Sequence, residues 1–339
     1  MARKPTMLDV AKEAGVALGT VSRVVNGLGV GEPYRQKVLR AMETLGYQYN
    51  VSGRTLRTDR TGFIALILPD TLSPYHASLA HHISLALSHR GFRTLLFLTE
   101  SRAENERAAL QTASENRSDG VIALLCQKDP ILPEGLPCVT LDRFLSSSVP
   151  CVTTDNARGG NLAARQLADL GCRRLACLFT PSSLTPEDDR RRDGFLSACA
   201  DMKIPCEAAA LEEDACLEAF LKKHLRDHRP DFDGIFAGSD FLASRILRCL
   251  KSLNVSVPGD VQLIGFGGVA MSHEENSTLS TMVQNVPEIA AACVHTVLSP
   301  QMSGFPSLIC LPVRYRAGLT TREAFRKTFI PDEQGSTDP

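Results

Sequence analysis

From Gly62 onward the chain alternates short runs of branched apolar residues with longer stretches of helical periodicity, a pattern that few folds accept. "FIALIL", "TLLFL", "GVIALL", "CVTL", "RLACLF", "GIFAG", "VQLIGF" and "LICLPV" read as buried parallel strands. Between them lie helical patterns such as "YHASLAHHISLALSHRG", "RGGNLAARQLADLG" and "SDFLASRILRCLKSL". The alternation predicts βαβ units, and the length from 62 to 325 suits two doubly wound parallel sheets with a cleft between them. The expected fold class is therefore α/β.

Ligands of doubly wound sheets bind beyond the carboxyl ends of the strands. The polar residues there are Tyr75, Asp142 after "CVTL", Arg191 in "RRRDGF", Ser239 and Asp240 after "GIFAG", and Gln284 after "STMV". An arginine fork at 191 suits vicinal hydroxyls or a carboxylate, whereas Arg190 and Arg192 are expected to face solvent. For His76, packing and ligand contact stand equal. Asp240 directly precedes a helix and can serve as its N-terminal charge, which makes Ser239 the preferred contact of the two. Asp155 in "TTDNARGG" carries the same ambiguity.

An enzymatic body finds little support. No G-x-G-x-x-G opens the helix after the first strand, "GFGGVAMS" has the wrong context for one, and no Ser/His/acid order stands out. The 11 cysteines include no C-x-x-C and none before Cys126, so neither a zinc site nor any other metal or cofactor is expected, and they read as small buried hydrophobes. No apolar run approaches the roughly 18 residues of a membrane span, and "MARKPTMLDVAKEAG" lacks the apolar core of a signal peptide. Together these predict a cytoplasmic protein.

Net charge is -1, yet it is unevenly spread. Residues 1–60 hold 10 Lys+Arg against 5 Asp+Glu, and the remainder is acidic. A basic head suggests a polyanion partner at one end. Within it, Leu8, Val10, Ala11 and Ala14 fall at helical spacing behind a Thr6 N-cap with Asp9 at N3, and Gly15 stops that helix. Val21, Val24 and Val25 mark a second helix ended by Gly27. A third, "PYRQKVLRAMETLGY", supplies core residues Val38, Leu39, Met42 and Leu45. Two short helices around a glycine turn describe a helix-turn-helix whose outward face holds Leu18, Gly19, Ser22, Arg23 and Asn26. These side chains suit base edges and phosphates.

Three stretches in order, "MLDVAKEAGVALGTVSRVVNG", "VLRAMETLGYQYN" and "SGRTLRTDRTGFIALILPD", resemble the N-terminus of the lactose-repressor (LacI) family of bacterial transcription regulators. The likeness continues through "TDNARGGNLAARQLADLGCRRLACL", "RRRDGF", "GSDFLASRILRCL" and "PGDVQLIGF", over roughly residues 6 to 320. It implies a helix-turn-helix domain at 1–49, a hinge helix at 50–61, a two-lobed periplasmic-binding-protein-like body at 62–325 and a tail at 326–339. One lobe would take 62–155 with 286–314, the other 156–285 with the tail. The likeness further implies base reading by Leu18, Gly19 and Arg23 and DNA contact by Thr6, Thr20, Ser22, Asn26, Tyr47, Asn50 and Arg54. Leu56 would be a minor-groove wedge. The six cleft residues match effector-contacting positions, with Tyr75 a stacking wall for a sugar ring.

Departures from the family pattern sharpen the reading. Ala17 stands where a serine usually caps the recognition helix, a loss of about 1 kcal/mol. Gly267 stands where an aspartate is common; its absence beside Arg191 removes negative charge and favours an anionic effector, such as a sugar acid or sugar phosphate. The expected protein is a homodimeric repressor of a carbohydrate-use operon, binding a palindromic double-stranded operator and a carbohydrate-type effector, and not a membrane. The rival is a solute-binding protein, for which a signal peptide and no basic head are expected.

Overall fold

The computed structural model describes residues 5–25, 28–47, 60–180, 186–211, 213–226, 229–269, 278–299 and 307–322. Asn26, Asn50, Arg54, Leu56 and the 326–339 tail lie outside the described residues. The chain divides into two units, 1–61 and 62–339.

In the first unit a capping box starts α1 (Met7–Ala14). The Thr6 backbone N–H donates to Asp9 Oδ2 at 2.7 Å, and the Asp9 N–H donates to Thr6 Oγ1 at 3.4 Å. Gly15 adopts the left-handed conformation (φ 64°) that ends the helix. α2 (Leu18–Val25) follows Ala17, whose methyl offers no acceptor to the first turn; Thr20 N–H donates instead to the Ala17 carbonyl. α3 (Glu32–Thr44) has Pro33 in its first turn, where the missing N–H does no harm. Val10, Ala11, Val21, Val38 and Ala41 form the core, with Met42, Leu45 and Tyr47 packed against it.

Two expected core residues turn outward: Leu8 is 62% exposed and Leu39 42%. The inward arc of α3 is taken by Val38, Ala41, Met42 and Leu45 at helical spacing, and Leu39 stands about 100° around the axis from Val38.

The second unit contains two six-stranded sheets. The first comprises β1 (Phe63–Leu68), β2 (Arg93–Leu98), β3 (Gly120–Ala123), β4 (Cys138–Leu141), β5 (Cys151–Thr154) and β13 (Leu308–Leu311), in the order β13-β5-β4-β3-β1-β2, all parallel. The second comprises β6 (Leu175–Phe179), β7 (Cys206–Ala210), β10 (Gly234–Ala237), β11 (Gln262–Gly267), β12 (Thr281–Gln284) and β14 (Val313–Arg316), in the order β14-β12-β11-β10-β6-β7. β8 (Leu225–Arg226) and β9 (Arg229–Pro230) pair as a small separate ribbon.

Helices cover both faces of each sheet. α4 (Pro74–His89) and α10 (Val286–Leu298) pack on Ile64, Leu66 and Leu68, while α5 (Ala103–Glu115) lies near Ala65 and Ile67 on the other face. On the second sheet α6 (Asn156–Asp169) and α7 (Pro186–Asp201) share one face, and α8 (Asp214–Lys223) and α9 (Asp240–Ser252) the other. α6 and α7 touch backbone to backbone. A Cβ on Gly160 would overlap the Arg191 carbonyl, and one on Gly194 would overlap the Ala157 carbonyl. No described helix is long and apolar enough to cross a membrane.

Three expectations for strands change. "LICLPV" is not one strand: it breaks at Pro312, which has no N–H for a ladder, into β13 of the first sheet and β14 of the second. β14 runs antiparallel to β12. β2 is an edge strand, not a buried one, with Leu96 44% and Leu98 49% exposed. The first lobe accordingly takes residues 286–311 rather than 286–314. The chain passes between lobes through single residues: Asp155 between β5 and α6, Asn285 between β12 and α10, and Pro312 between β13 and β14.

Candidate functional site

A cavity of about 530 Å³ opens beyond the carboxyl ends of the strands and is lined by residues of both lobes. Tyr75, Asp142, Arg191, Ser239, Asp240 and Gln284 all line it. Its size falls within the roughly 300–1,000 Å³ of small-molecule sites.

Arg191 reaches the cleft from α7 at the Gly160 contact. Its Nε donates to Asn156 Oδ1 at 2.6 Å and its Nη1 to the Gly238 carbonyl at 3.0 Å. The guanidinium lies 4.0 Å over the Phe266 ring, so both its plane and its edge are set by the second lobe. Of its neighbours, Arg190 is exposed. Arg192 is not simply solvent-facing: it pairs with Asp189 at 2.9 Å and Asp193 at 2.8 Å and lies over Phe179.

Ser239 is the N-cap of α9, its Oγ accepting from the Leu242 N–H at 3.2 Å. Asp240 turns into the lobe. Its Oδ1 accepts from Thr281 Oγ1 at 2.6 Å, and its Oδ2 accepts from the Gly268 N–H. Arg316 Nη1 donates to the Gly268 carbonyl at 3.2 Å, so the peptides on both sides of the Gly268 Cα are held. Burial pushes the Asp240 carboxyl above its ordinary value, against the pull of the Thr281 and Gly268 hydrogen bonds and of Arg316 and Arg191. Both Ser239 and Asp240 thus have structural partners within the second lobe.

The space beside Gly267 is not free of charge. A Cβ there would stand 3.2 Å from Asp240 Oδ2, and Gly267 and Gly268 both have positive φ (139° and 78°). The carboxylate of Asp240 thus occupies the place where loss of an acidic side chain at 267 was expected to leave the cleft less negative.

In the first lobe, Asp142 follows β4 with φ 53° and accepts from Thr153 Oγ1 at 2.7 Å. Gln284 Nε2 donates to Thr154 Oγ1 at 2.7 Å and lies 3.4 Å from the Tyr75 hydroxyl, which links the lobes at the cleft floor. Asp155, ambiguous in sequence, caps α6 by accepting from the Arg158 N–H at 3.1 Å. Sequence reasoning missed Asp70, Leu72, Glu100, Phe241 and Phe266, which also line the cavity. "LPDTLSP" carried the signal for Asp70, whose Oδ1 accepts from the Leu72 and Ser73 N–H groups in a turn before α4. Desolvation raises the Asp70 carboxyl, but the Ser73 N–H and neighbouring His76 together bring it below its ordinary value.

The head carries a different surface. Leu18, Gly19, Ser22 and Arg23 form one continuous arc of α2 opposite buried Val21, and Leu18, Gly19 and Arg23 are exposed. Thr20 sits at the arc's edge, half-buried. Thr6 Oγ1 donates to Asp9 Oδ2 at 2.7 Å, and Tyr47 packs on the core, so both also serve the head's own fold. Cys151, Cys172, Cys177, Cys199 and Cys293 are buried, and burial pushes the Cys172 and Cys177 thiols up to about 12.

Comparison with known proteins agrees with this division. Residues 6–50 match the model of bacterial regulatory proteins of the lacI family, and residues 164–306 match a periplasmic binding protein-like domain. The chain is 30% identical to the ribose operon repressor of Halalkalibacterium halodurans, over 86% of this chain and 89% of that one. It is 32% identical to the HTH-type transcriptional regulator CelR of Thermobifida fusca, over 83% and 87%. Among solved structures, the lac repressor dimer bound to operator and an anti-inducer superimposes with TM-score 0.78 at 21% identity, over 94% of this chain and 99% of that one. A CelR–cellobiose complex gives 0.64 at 28% identity, over 93% and 99%. A basic three-helix head and a two-lobed body with one shared cleft thus coincide with relatedness along most of the chain, and the protein belongs to the lacI family of bacterial regulatory proteins, transcription regulators rather than enzymes.

Proposed function

We propose that the protein is a homodimeric repressor that binds a palindromic operator and responds to a neutral, polyhydroxylated sugar in the cleft. Residues 1–49 read DNA, 50–61 form the hinge, 62–325 bind effector and dimerise, and 326–339 are a tail. Arg23 pairs with guanine, Leu18 meets a thymine methyl, Gly19 lets the helix approach closely, and Thr6, Thr20, Ser22, Asn26 and Tyr47 hold phosphates. Asn50 and Arg54 flank the Leu56 wedge. The exposed arc on α2 in a basic head supports this reading.

The observation that carries the effector class is the charge of the cleft. Asp70, Glu100 and Asp142 line it, with the buried Asp240 beside Gly267, against Arg191, its one lining arginine among the described residues. Carboxylates accept hydroxyl hydrogens and repel anions, so a neutral sugar fits better than a sugar acid or sugar phosphate. The ribose and sucrose operon repressors among the relatives support a carbohydrate. For the dimer, Leu96 and Leu98 on the unpaired edge strand β2 share a sheet face with α4, where Leu85 is also 46% exposed. Such an apolar edge supports a second copy there. Effector acts by binding one lobe closure better than another, which biases the head's hold on DNA.

The test is fluorescence anisotropy on palindromes flanking the gene, at stated salt, with ribose, glucose, sucrose and cellobiose and with gluconate and glucose 6-phosphate. A specific duplex should bind, R23A should lose about 1–3 kcal/mol on it, and a neutral sugar should change its affinity. Absence of any specific duplex defeats the repressor reading; response to the anions alone defeats the neutral-sugar reading.

A further inference from the structure

His76 lines the cleft beside Tyr75, at a position where the sequence left packing and ligand contact equal. It sits in the first turn of α4, next to Tyr75, with its side chain 9% exposed. Its Nδ1 lies 3.2 Å from Asp70 Oδ2. Asp70 is itself fixed, because its other oxygen accepts from the Leu72 and Ser73 N–H groups at 2.8 and 2.9 Å. The imidazole lines the cavity, and its Nε2 makes no hydrogen bond to any described residue. The ring is thus anchored through one nitrogen to Asp70 and presents the other to the cavity, which is the arrangement of a side chain placed to meet a ligand.

We propose that His76 determines effector specificity by accepting a hydrogen bond at Nε2 from a hydroxyl of the bound sugar, with Asp70 as the positioning residue. The carboxylate accepts the Nδ1 hydrogen, which selects the tautomer whose Nε2 lone pair faces the cleft. Other charged groups lining the cavity are Glu100, Asp142 and Asp240, which can also accept, and Arg191, which donates. Arg191 thus meets the sugar from the second lobe, and His76 reads it from the first with an acceptor that an O-methylated or deoxygenated position cannot satisfy.

The inference rests on the sugar-binding reading, and its test separates the two. Nitrogen-15 spectra of histidine-labelled full-length protein at mildly alkaline pH should give His76 as the Nδ1-protonated tautomer, and D70N should shift that preference. Calorimetry with ribose, glucose, sucrose and cellobiose identifies the binding sugar. H76F should then weaken it about tenfold, the worth of one hydrogen bond, and H76Q, whose amide oxygen can accept, should recover part of the loss. An Nε2-protonated tautomer in the wild type, or unchanged affinity in H76F, overturns the role of His76 while sugar binding by the wild type stands. If the wild type binds none of the sugars, the carbohydrate reading fails and takes this inference with it.

Discussion

The two walls of the cleft are built to different degrees of completion. On the second lobe Arg191 is bound by Asn156, Gly238 and Phe266, Asp240 by Thr281 and Gly268, and Ser239 by the start of α9. On the first lobe Asp70 holds one edge of His76 and leaves the other facing the cavity, and the Tyr75 ring is only half-buried. The second-lobe groups are each held by the protein itself; on the first lobe Asp70 and Asp142 are held as well, but His76 leaves its Nε2 open to the cavity. Groups held in place beforehand limit the ordering that binding needs.

The largest blow to this contrast is G160V. Its side chain would drive into the backbone of α7 at Arg191, so the second lobe should lose more than about 3 kcal/mol, measured by urea unfolding. A loss under about 1 kcal/mol would mean the second-lobe wall is softer than its packing implies.

A smaller effect concerns pH. Because burial raises the Asp240 carboxyl in the folded state, the native protein binds more protons than the unfolded chain in the window above the ordinary carboxylate range. Stability from this group is therefore present at the acid side of the window and declines as pH rises through it. Unfolding followed across mildly acidic pH should give a downward slope that flattens in D240N. An identical slope in D240N would assign it to other groups.

The smallest expected effect belongs to the seam between the walls. T154V removes the acceptor for Gln284 Nε2, a buried cross-lobe hydrogen bond, and should cost about 1 kcal/mol in thermal unfolding. It should leave the Arg191 wall intact, so a larger loss of effector affinity than of stability would show that the seam sets lobe angle.

Much of the body was legible because parallel strands covered on both faces are continuously apolar, as in "FIALIL" and "GIFAG". Edges were not. β7, "CEAAA", is half exposed and has no branched apolar residue, and β2 looked buried because its leucines read the same at a sheet edge as in its centre. Periodicity also assigned Leu8 and Leu39 to the head's core, since a helical stripe does not say which of two adjacent apolar residues points inward. In the cleft, residues at strand ends could be named one by one. The Asp70–His76 contact crosses a turn, and the reach of Asp240 toward Gly267 joins residues 27 apart, so neither follows from spacing.

Asp155, Asn285 and Pro312 each carry the chain from one lobe to the other in a single step. Mechanically this is a piano hinge with three pins of matched length. Lengthening one pin by a residue would add up to about 3.5 Å to one side of the joint and throw it out of line with the other two. At these three positions chain length itself is the specification.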